Sequence, residues 1–579
     1  MVKIRKVKEK NWAKRQSCSS NPSIRSHRDA ARRGFGHESQ AGSSLTVEAL
    51  AKHNEDIDDE DTVLDDAETT GRSMATVSIS GLTDCSNPTF SGVLKRFWQS
   101  PGANHQEICA VLAAVTEVIR KNGGNETETE YFAALMTALE TTEDDNSLAA
   151  IAFLLALVIK RVPESVLQVK FSAICQVLLN IMAAKVDSLA TALLKSLVTC
   201  LATALKAQEG TVWSDSSTLK SYQGLLSFTI HSKPKVRKCS QESVVGIMKS
   251  TPGNSEYHPA CQATMKFCIQ ELEKYKGSTQ AVSVLHVLGL LKNIITSFPN
   301  QHVKSLCETI LKLMTFGNIM LTMNCMQVLH SLFENDPQST TVTSELNGQL
   351  INALFDYQPN AVDEQQAVAW LTLMQKAYCN FQRLDAELCA ESCVKLFASC
   401  MTFLLSHHAV VKTTAASAMK CLIEECVSPR AEKLCTGLEN KDATTSPVLM
   451  ILRCLESGLK LRYQGSWKLI LDVISKFFET FGKLCPERLK KCLVSLCNLH
   501  NSHGIQCRRE LEKTVGMAFQ TMGPKFVLGV VPLDLDKDTN ACEFPRSWLL
   551  PVMRDHVRET EMMFFFENFL PLANTLRGK

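Results

Sequence analysis

What the sequence lacks narrows its chemistry before any pattern is read. No sign of charge dominates. Lys and Arg total 62 against 60 Asp and Glu, a formal net charge of +2, so only local clusters could attract nucleic acid. Aromatic residues are scarce, at 7%, and Leu, Ala, Val and Met stand in their place, which favours helix-on-helix packing over sheets. The longest apolar run, LAAIAFLLALVI at 148–159, stops at Lys160-Arg161 and is too short to span a bilayer. The chain starts MVKIRKVKEKNWAKR with no apolar segment behind it, so a secretory signal is not expected and the sequon at Asn125 carries no weight. GxxxxGK[ST], GxGxxG after a strand, HExxH and GxSxG are all missing. Without these phosphate cradles, zinc sites and nucleophile elbows, no catalytic or cofactor-binding residue is assigned and a non-enzymatic protein is expected.

Cysteine, in contrast, is plentiful, with 23 residues. They lie in apolar stretches such as AICQVLL, VTCLATAL and KCLIEECV, where a free thiol acts as a small core hydrophobe. A reducing compartment, nucleus or cytosol, is expected. Only KKCLVSLCNLHNSHGIQC resembles a metal spacing, through Cys492, Cys497, His500, His503 and Cys507. Structural zinc sites pair tight knuckles of two cysteines with a matching second pair. Cys492 and Cys497 instead fall on one apolar helix face with both histidines at its polar end, so a packed helix and turn is expected and no metal is assigned.

At 579 residues the chain is too long for one compact core. Residues 1–80 stand apart. From Met1 to His37 there are eleven bases, Lys3, Arg5, Lys6, Lys8, Lys10, Lys14, Arg15, Arg25, Arg28, Arg32 and Arg33, against Glu9 and Asp29. Nine acids without a base then occupy 54–71. Apolar residues are too sparse there to offset chain entropy, and a disordered tail, basic then acidic, is expected.

Helical rhythm begins after it. Ile108, Val111, Leu112, Val115, Val118 and Ile119 recur in steps of three and four and end at Gly123-Gly124, one face of a helix with a glycine stop. Further segments follow the same rhythm, broken by short Pro/Gly or polar stretches. Three share one register: KVRKCSQESVVGI, LTMNCMQVLHSL and VKTTAASAMKCL. Each has an apolar residue first (Val236, Leu321, Val411), a small one four later (Ser240, Cys325, Ala415), and apolar ones eight and eleven later. This is the second-helix pattern of HEAT-type repeats. The first residues stand 85 and 90 apart, two units each if a unit runs roughly 40–47 residues, with QAVSVLHVLGLLKNIITSFP and QAVAWLTLMQKAYCNF supplying intervening helices. The expected fold is all-α, a HEAT/armadillo-like α-solenoid with a disordered N-terminal tail. Repeats are placed at 81–430, an inter-repeat loop at 431–447, and further repeats at 448–579. The last helix, FFFENFLPLANTLRGK, has no polar closing helix after it, so more repeats beyond it or a covering partner are expected.

Two basic clusters are the candidate phosphate contacts: the tail, through Lys3, Arg5, Lys6, Lys8, Lys10, Lys14, Arg15, Arg32 and Arg33, and the turn at Lys233, Lys235, Arg237 and Lys238. Both would bind RNA without sequence preference and with strong salt dependence. At the turn, a base after the first apolar residue also belongs to the repeat pattern.

The segments NPSIRSHRDAARRGF, LTVEALAKHN, SGLTDCSNPTF, KRFWQS, HQEICAVLAAVTEVIRKNGGNETETEYFAALMTALE, YQGLLSFTIHSKPKVRK and FPRSWLLPVMRDHVRET resemble the ribosomal-RNA-processing protein twelve-like family, nucleolar HEAT-repeat proteins related in architecture to karyopherins. The resemblance implies a scaffold in maturation and nuclear export of pre-ribosomal subunits. It also implies contacts with pre-ribosomal RNA and proteins, the small GTPase Ran and nuclear-pore repeats, and a nuclear and nucleolar location. Family members are longer, with further repeats and a basic tail. A karyopherin-like transport receptor and a cytoplasmic HEAT regulatory scaffold are the alternative readings.

Overall fold

The computed structural model describes residues 85–577, apart from 185–189, 254, 278–280, 335–336, 437–445, 503–504, 534–545 and 559. The basic and acidic tail, including every candidate from Lys3 to Arg33, lies outside the described residues, as do His503 and most of the expected 431–447 loop.

The chain divides into two compact units, one ending at Gln99 and one starting at Ser100. The first contributes α1 (Pro88–Phe97). Its N-cap is Asn87, whose side chain accepts from the Thr89 amide at 3.0 Å, and Pro88 follows where no amide is needed. The second unit opens with α2 (Ala103–Lys121), α3 (Glu128–Thr141), α4 (Asp145–Val158), α5 (Glu164–Val169), α6 (Phe171–Ala184), α7 (Thr191–Lys206) and α8 (Ser216–Ser227). It continues through α9 (Pro234–Lys249), α10 (Cys261–Glu273), α11 (Ala281–Ile294), α12 (Asn300–Met314), α13 (Ile319–Glu334), α14 (Ser344–Asp356), α15 (Glu364–Leu384), α16 (Ala386–Phe403) and α17 (Ala409–Cys421). The last are α18 (Ala431–Cys435), α19 (Pro447–Ser457), α20 (Trp467–Phe481), α21 (Pro486–His500), α22 (Arg508–Met522), α23 (Pro524–Val530), α24 (Leu549–His556) and α25 (Met562–Arg577). No strand occurs among the described residues. This is the helical solenoid expected from the sequence.

Local chemistry sets the helix ends. Thr127 and Glu130 form a reciprocal capping box at α3, and Asp385 accepts from the amides of Glu387 and Leu388 at the start of α16, each occupying orphan amides of a first turn. At the end of α2, Gly123 adopts φ +74°, the left-handed conformation that closes a helix at little cost only in glycine. Of the stripe read on α2, Ile108, Leu112, Val115 and Ile119 are buried, but Val118 is 51% exposed.

Helices of the second unit alternate between two layers. One holds α3, α6, α8, α10, α12, α14, α16, α19, α21 and α23, and the other α2, α4, α7, α9, α11, α13, α15, α17, α20, α22 and α24. Most successive helices within a layer pack against each other, and each packs on its sequence neighbour in the other layer. Every such pair is amphipathic and cannot bury its apolar face alone, so stacking builds one continuous core. The shared register explains the second layer. Val236, Ser240, Val244 and Ile247 on α9, their counterparts Leu321, Cys325, Leu329 and Leu332 on α13, and Val411, Ala415, Met419 and Leu422 on α17 and its continuation are all at most 1% exposed. The two intervening helices are α11 and α15.

The small fourth position lets backbones approach, and Ser240 Oγ also donates to the Leu225 carbonyl of α8 at 2.7 Å. A comparable close approach occurs at Gly516 on α22, where a Cβ would stand 2.5 Å from the His556 ring of α24. α17 ends differently from its counterparts. It runs into a π-helical turn at Leu422–Val427, a widened turn rare in proteins. The expected loop at 431–447 begins with the short helix α18.

Candidate nucleic-acid interface

The basic turn between α8 and α9 is built by Pro234, which occupies the first position of α9 and sets the preceding Lys233 in an extended conformation. Lys235 and Lys238 are exposed there and Lys233 is half-buried. Arg237 is half-buried. Its Nη1 donates to the carbonyls of His231 and Ser232, at 2.8 and 3.3 Å, and burial draws its pKa down. The guanidinium therefore ties the turn to the helix. The structure brings the four bases of this turn together and gives one of them a structural task.

Other bases follow the same layer, and no local pattern in the chain marks them. Lys160 after α4 and Lys195 on α7 both lie near enough to Cys239 of α9 to act on its thiol. Arg237 acts on His286 of α11, and Lys376 of α15 and Lys292 of α11 act on His330 of α13. Burial first, then these cations, pulls His286 down to about 4 and lowers His330. Individual bases thus recur along one layer from the end of α4 to α15. Glu242 on α9 and Glu334, whose Oε2 is 3.5 Å from His330 Nδ1, lie among them. The bases are far apart in sequence and share one layer only because the repeats stack, so no contiguous basic stretch marks them.

Further along the same layer, one groove is charge-balanced. It encloses about 440 Å³ between α17, α20 and α22 and is lined by Lys420, Glu424, Asp472, Lys476, Glu479 and Lys513 with smaller residues. Lys420 pairs with Asp472, and Lys476 with Glu424 at 3.4 Å and Glu479 at 3.2 Å. These matched charges give an anion little net attraction.

The metal-like spacing on α21 resolves into packing. Cys492 and Cys497 are buried, as expected from their helix face, and Cys507 is buried too. His500 departs from the expectation of a polar helix end. It is 9% exposed, its ring stacks on Trp548 with centroids 3.8 Å apart, and Nε2 lies 3.3 Å from Glu512. The indole brought across by the segment before α24 buries this face, which the local sequence could not show. Cys492, Cys497 and His500 do not gather into a ligand cluster among the described residues. His408, in the turn before α17, sits 3.1 Å from Glu364. His258 is buried edge-on against Trp213 with centroids 4.5 Å apart, its Nδ1 accepting from the Ala260 amide. Burial pushes its pKa down to about 4.

Known proteins share this sequence and its helical repeats. Residues 83–340 match the family described as RRP12-like, N-terminal HEAT repeats, and residues 405–579 the family described as Ribosomal RNA-processing protein 12, HEAT repeats. The chain is 44% identical to the RRP12-like protein of Homo sapiens over 589 residues, covering 99% of this chain and 45% of that protein. It is 22% identical to Ribosomal RNA-processing protein 12 of Saccharomyces cerevisiae over 521 residues, covering 82% of this chain and 42% of that one. The chain therefore spans about half the length of the curated relatives it matches. Among solved structures it is similar to Kap121p, at 13% identity and a TM-score of 0.45, covering 81% of this chain and 45% of that one. No helix among the described residues is long and apolar enough to cross a membrane.

Proposed function

Because the chain belongs to the RRP12-like family, we propose that it serves ribosomal RNA processing and pre-ribosomal subunit assembly as a non-catalytic scaffold that holds RNA and protein on its stacked helices. The observation that carries the RNA part is the recurrence of bases along one layer, at Lys160, Lys195, the turn at Lys233–Lys238, Lys292 and Lys376. Repeated along neighbouring helices, such bases meet a phosphate backbone at several points at once and need no base-specific contact. The basic tail, Lys3 to Arg33, would add a second electrostatic arm.

Nuclear and nucleolar residence, a part in nuclear export, and contacts with Ran GTPase and nuclear-pore repeats belong to the same reading and rest on the family alone. The function is tested by tagged capture of the chain followed by sucrose-gradient sedimentation and RNA sequencing. Co-migration with pre-ribosomal particles enriched in precursor rRNA is expected, weakened by deletion of residues 1–37 and by Lys235→Glu with Lys238→Glu. Free sedimentation without rRNA would count against the scaffold.

A further inference from the structure

Three successive helices and a widened turn bring five cysteines into one neighbourhood: Cys379 on α15, Cys389 and Cys393 one turn apart on α16, Cys421 at the end of α17, and Cys426 in the π-helical turn. The sulfurs of Cys389, Cys393 and Cys426 all lie within 4.8 Å of one another, and all three side chains are buried. Cys389 and Cys393 are 3.9 Å apart, and Cys379 and Cys421 are 3.7 Å apart. Thiolates about 2.3 Å from one tetrahedral ion stand about 3.8 Å from each other. The 3.9 Å between Cys389 and Cys393 is already close to the spacing a shared ion imposes, and Cys426 lies within reach of both. Cys379 belongs to a neighbouring group with Cys421 and Glu425, whose ligand atoms also lie within 4.8 Å of one another, and its thiol acts electrostatically with that of Cys426.

Two further features single out this cluster. The π-helical turn is a distortion that the equivalent helices α9 and α13 do without, and turns of this kind concentrate at functional sites. Here the distorted turn is the one that delivers Cys426. The ligand set is also purely sulfur, with three of the four thiols buried, which suits a soft d10 cation and excludes hard ions such as magnesium or calcium. A buried thiolate would be costly without a counter-charge, and a divalent ion supplies one.

We propose that Cys389, Cys393 and Cys426, with Cys379 turning in as fourth ligand, form a structural zinc site that pins α16 to the turn after α17. Binding replaces thiol protons, which leave to solvent. Among them is the one that Cys389 donates to the Tyr378 carbonyl at 3.5 Å.

The test uses the whole chain, reduced, equilibrated with zinc chloride and passed over a chelating resin. About one zinc per chain is expected by elemental mass spectrometry, and cobalt(II) in its place should give thiolate-to-metal charge-transfer absorption. Cys393→Ser and Cys426→Ser should each lower retained zinc by more than about tenfold, while Cys454→Ser leaves it unchanged. A serine variant that misfolds would also lose metal, so alkylation of the wild-type chain is read peptide by peptide with and without zinc. Zinc should shield Cys379, Cys389, Cys393 and Cys426. A wild-type chain that retains no zinc, that retains copper(I) but not zinc, or whose zinc shields Cys492 and Cys497 instead overturns the proposal.

Discussion

Helices α9 and α17 bury the same four register positions, yet they have little else in common. In α9 the small residue is Ser240, which binds the Leu225 carbonyl. In α17 it is Ala415, which only fills space, fully buried. Outside the core, α9 begins with a cluster of bases and a guanidinium that holds its turn, whereas α17 ends in a distorted turn that carries sulfur. Stacking thus constrains one stripe of each helix and leaves its ends free to take up separate tasks.

Substitution at the small position should separate the two helices most. Ser240→Leu overpacks the α8–α9 contact and removes the hydroxyl bond to the Leu225 carbonyl, which keeps the Phe228 amide, for an expected loss of about 3 kcal/mol. Ala415→Leu only overpacks and should cost about 2 kcal/mol. Chemical denaturation followed by helical circular dichroism checks both, and equal losses would mean that the Ser240 hydrogen bond contributes nothing.

Next in size is a pH effect near α9. His258 stays neutral when folded, because burial holds its pKa down at about 4, below the ordinary histidine value of 6.5. The unfolded chain therefore binds the proton first, and stability falls as pH drops from 6.5 toward 4, by at most roughly 1.4 kcal/mol per pH unit. Denaturation midpoints across that window should flatten in His258→Gln, and an unchanged slope would assign the effect elsewhere.

A smaller loss, about 1 kcal/mol, is expected for Arg237→Ala, which leaves the turn carbonyls to water. Arg237→Lys should recover only part of it, since an ammonium lacks the planar fork. Denaturation midpoints of the two variants decide this, and equal midpoints would mean the fork is not needed. Lys235→Glu with Lys238→Glu reverses two exposed charges and is aimed at RNA binding, not at stability. That pair should flatten the salt dependence of RNA binding by about one unit of slope for each phosphate no longer neutralised. If RNA affinity stays unchanged, the α9 cluster has no part in binding.

The repeat register was legible in the chain because Val236, Leu321 and Val411 carry their packing in local spacing, and a helix face is a short-range property. The turn at Lys233–Lys238 was legible for the same reason. The remainder depended on residues that only stacking brings together. Lys160 and Lys376 lie along one layer because α7, α9, α11 and α13 stack in sequence between them. His500 is buried because Trp548 arrives from another segment. Cys426 meets Cys389 only through a turn whose widening no propensity announces. Reading KCLIEECV as small core hydrophobes fits Cys426, which is buried, while Cys421 is only half-buried, and it concealed that Cys426 converges with Cys389 and Cys393.

Stacking between neighbours also bears on how the chain is made. Most contacts of a helix pair run to the pairs immediately before and after it, so little of the second unit waits for a distant segment to arrive. Each pair can close against its predecessor once a few tens of further residues have been synthesised, and at about 5–20 residues per second this takes only seconds. Folding can then keep pace with translation, and the apolar face awaiting a partner at any moment is about one repeat wide.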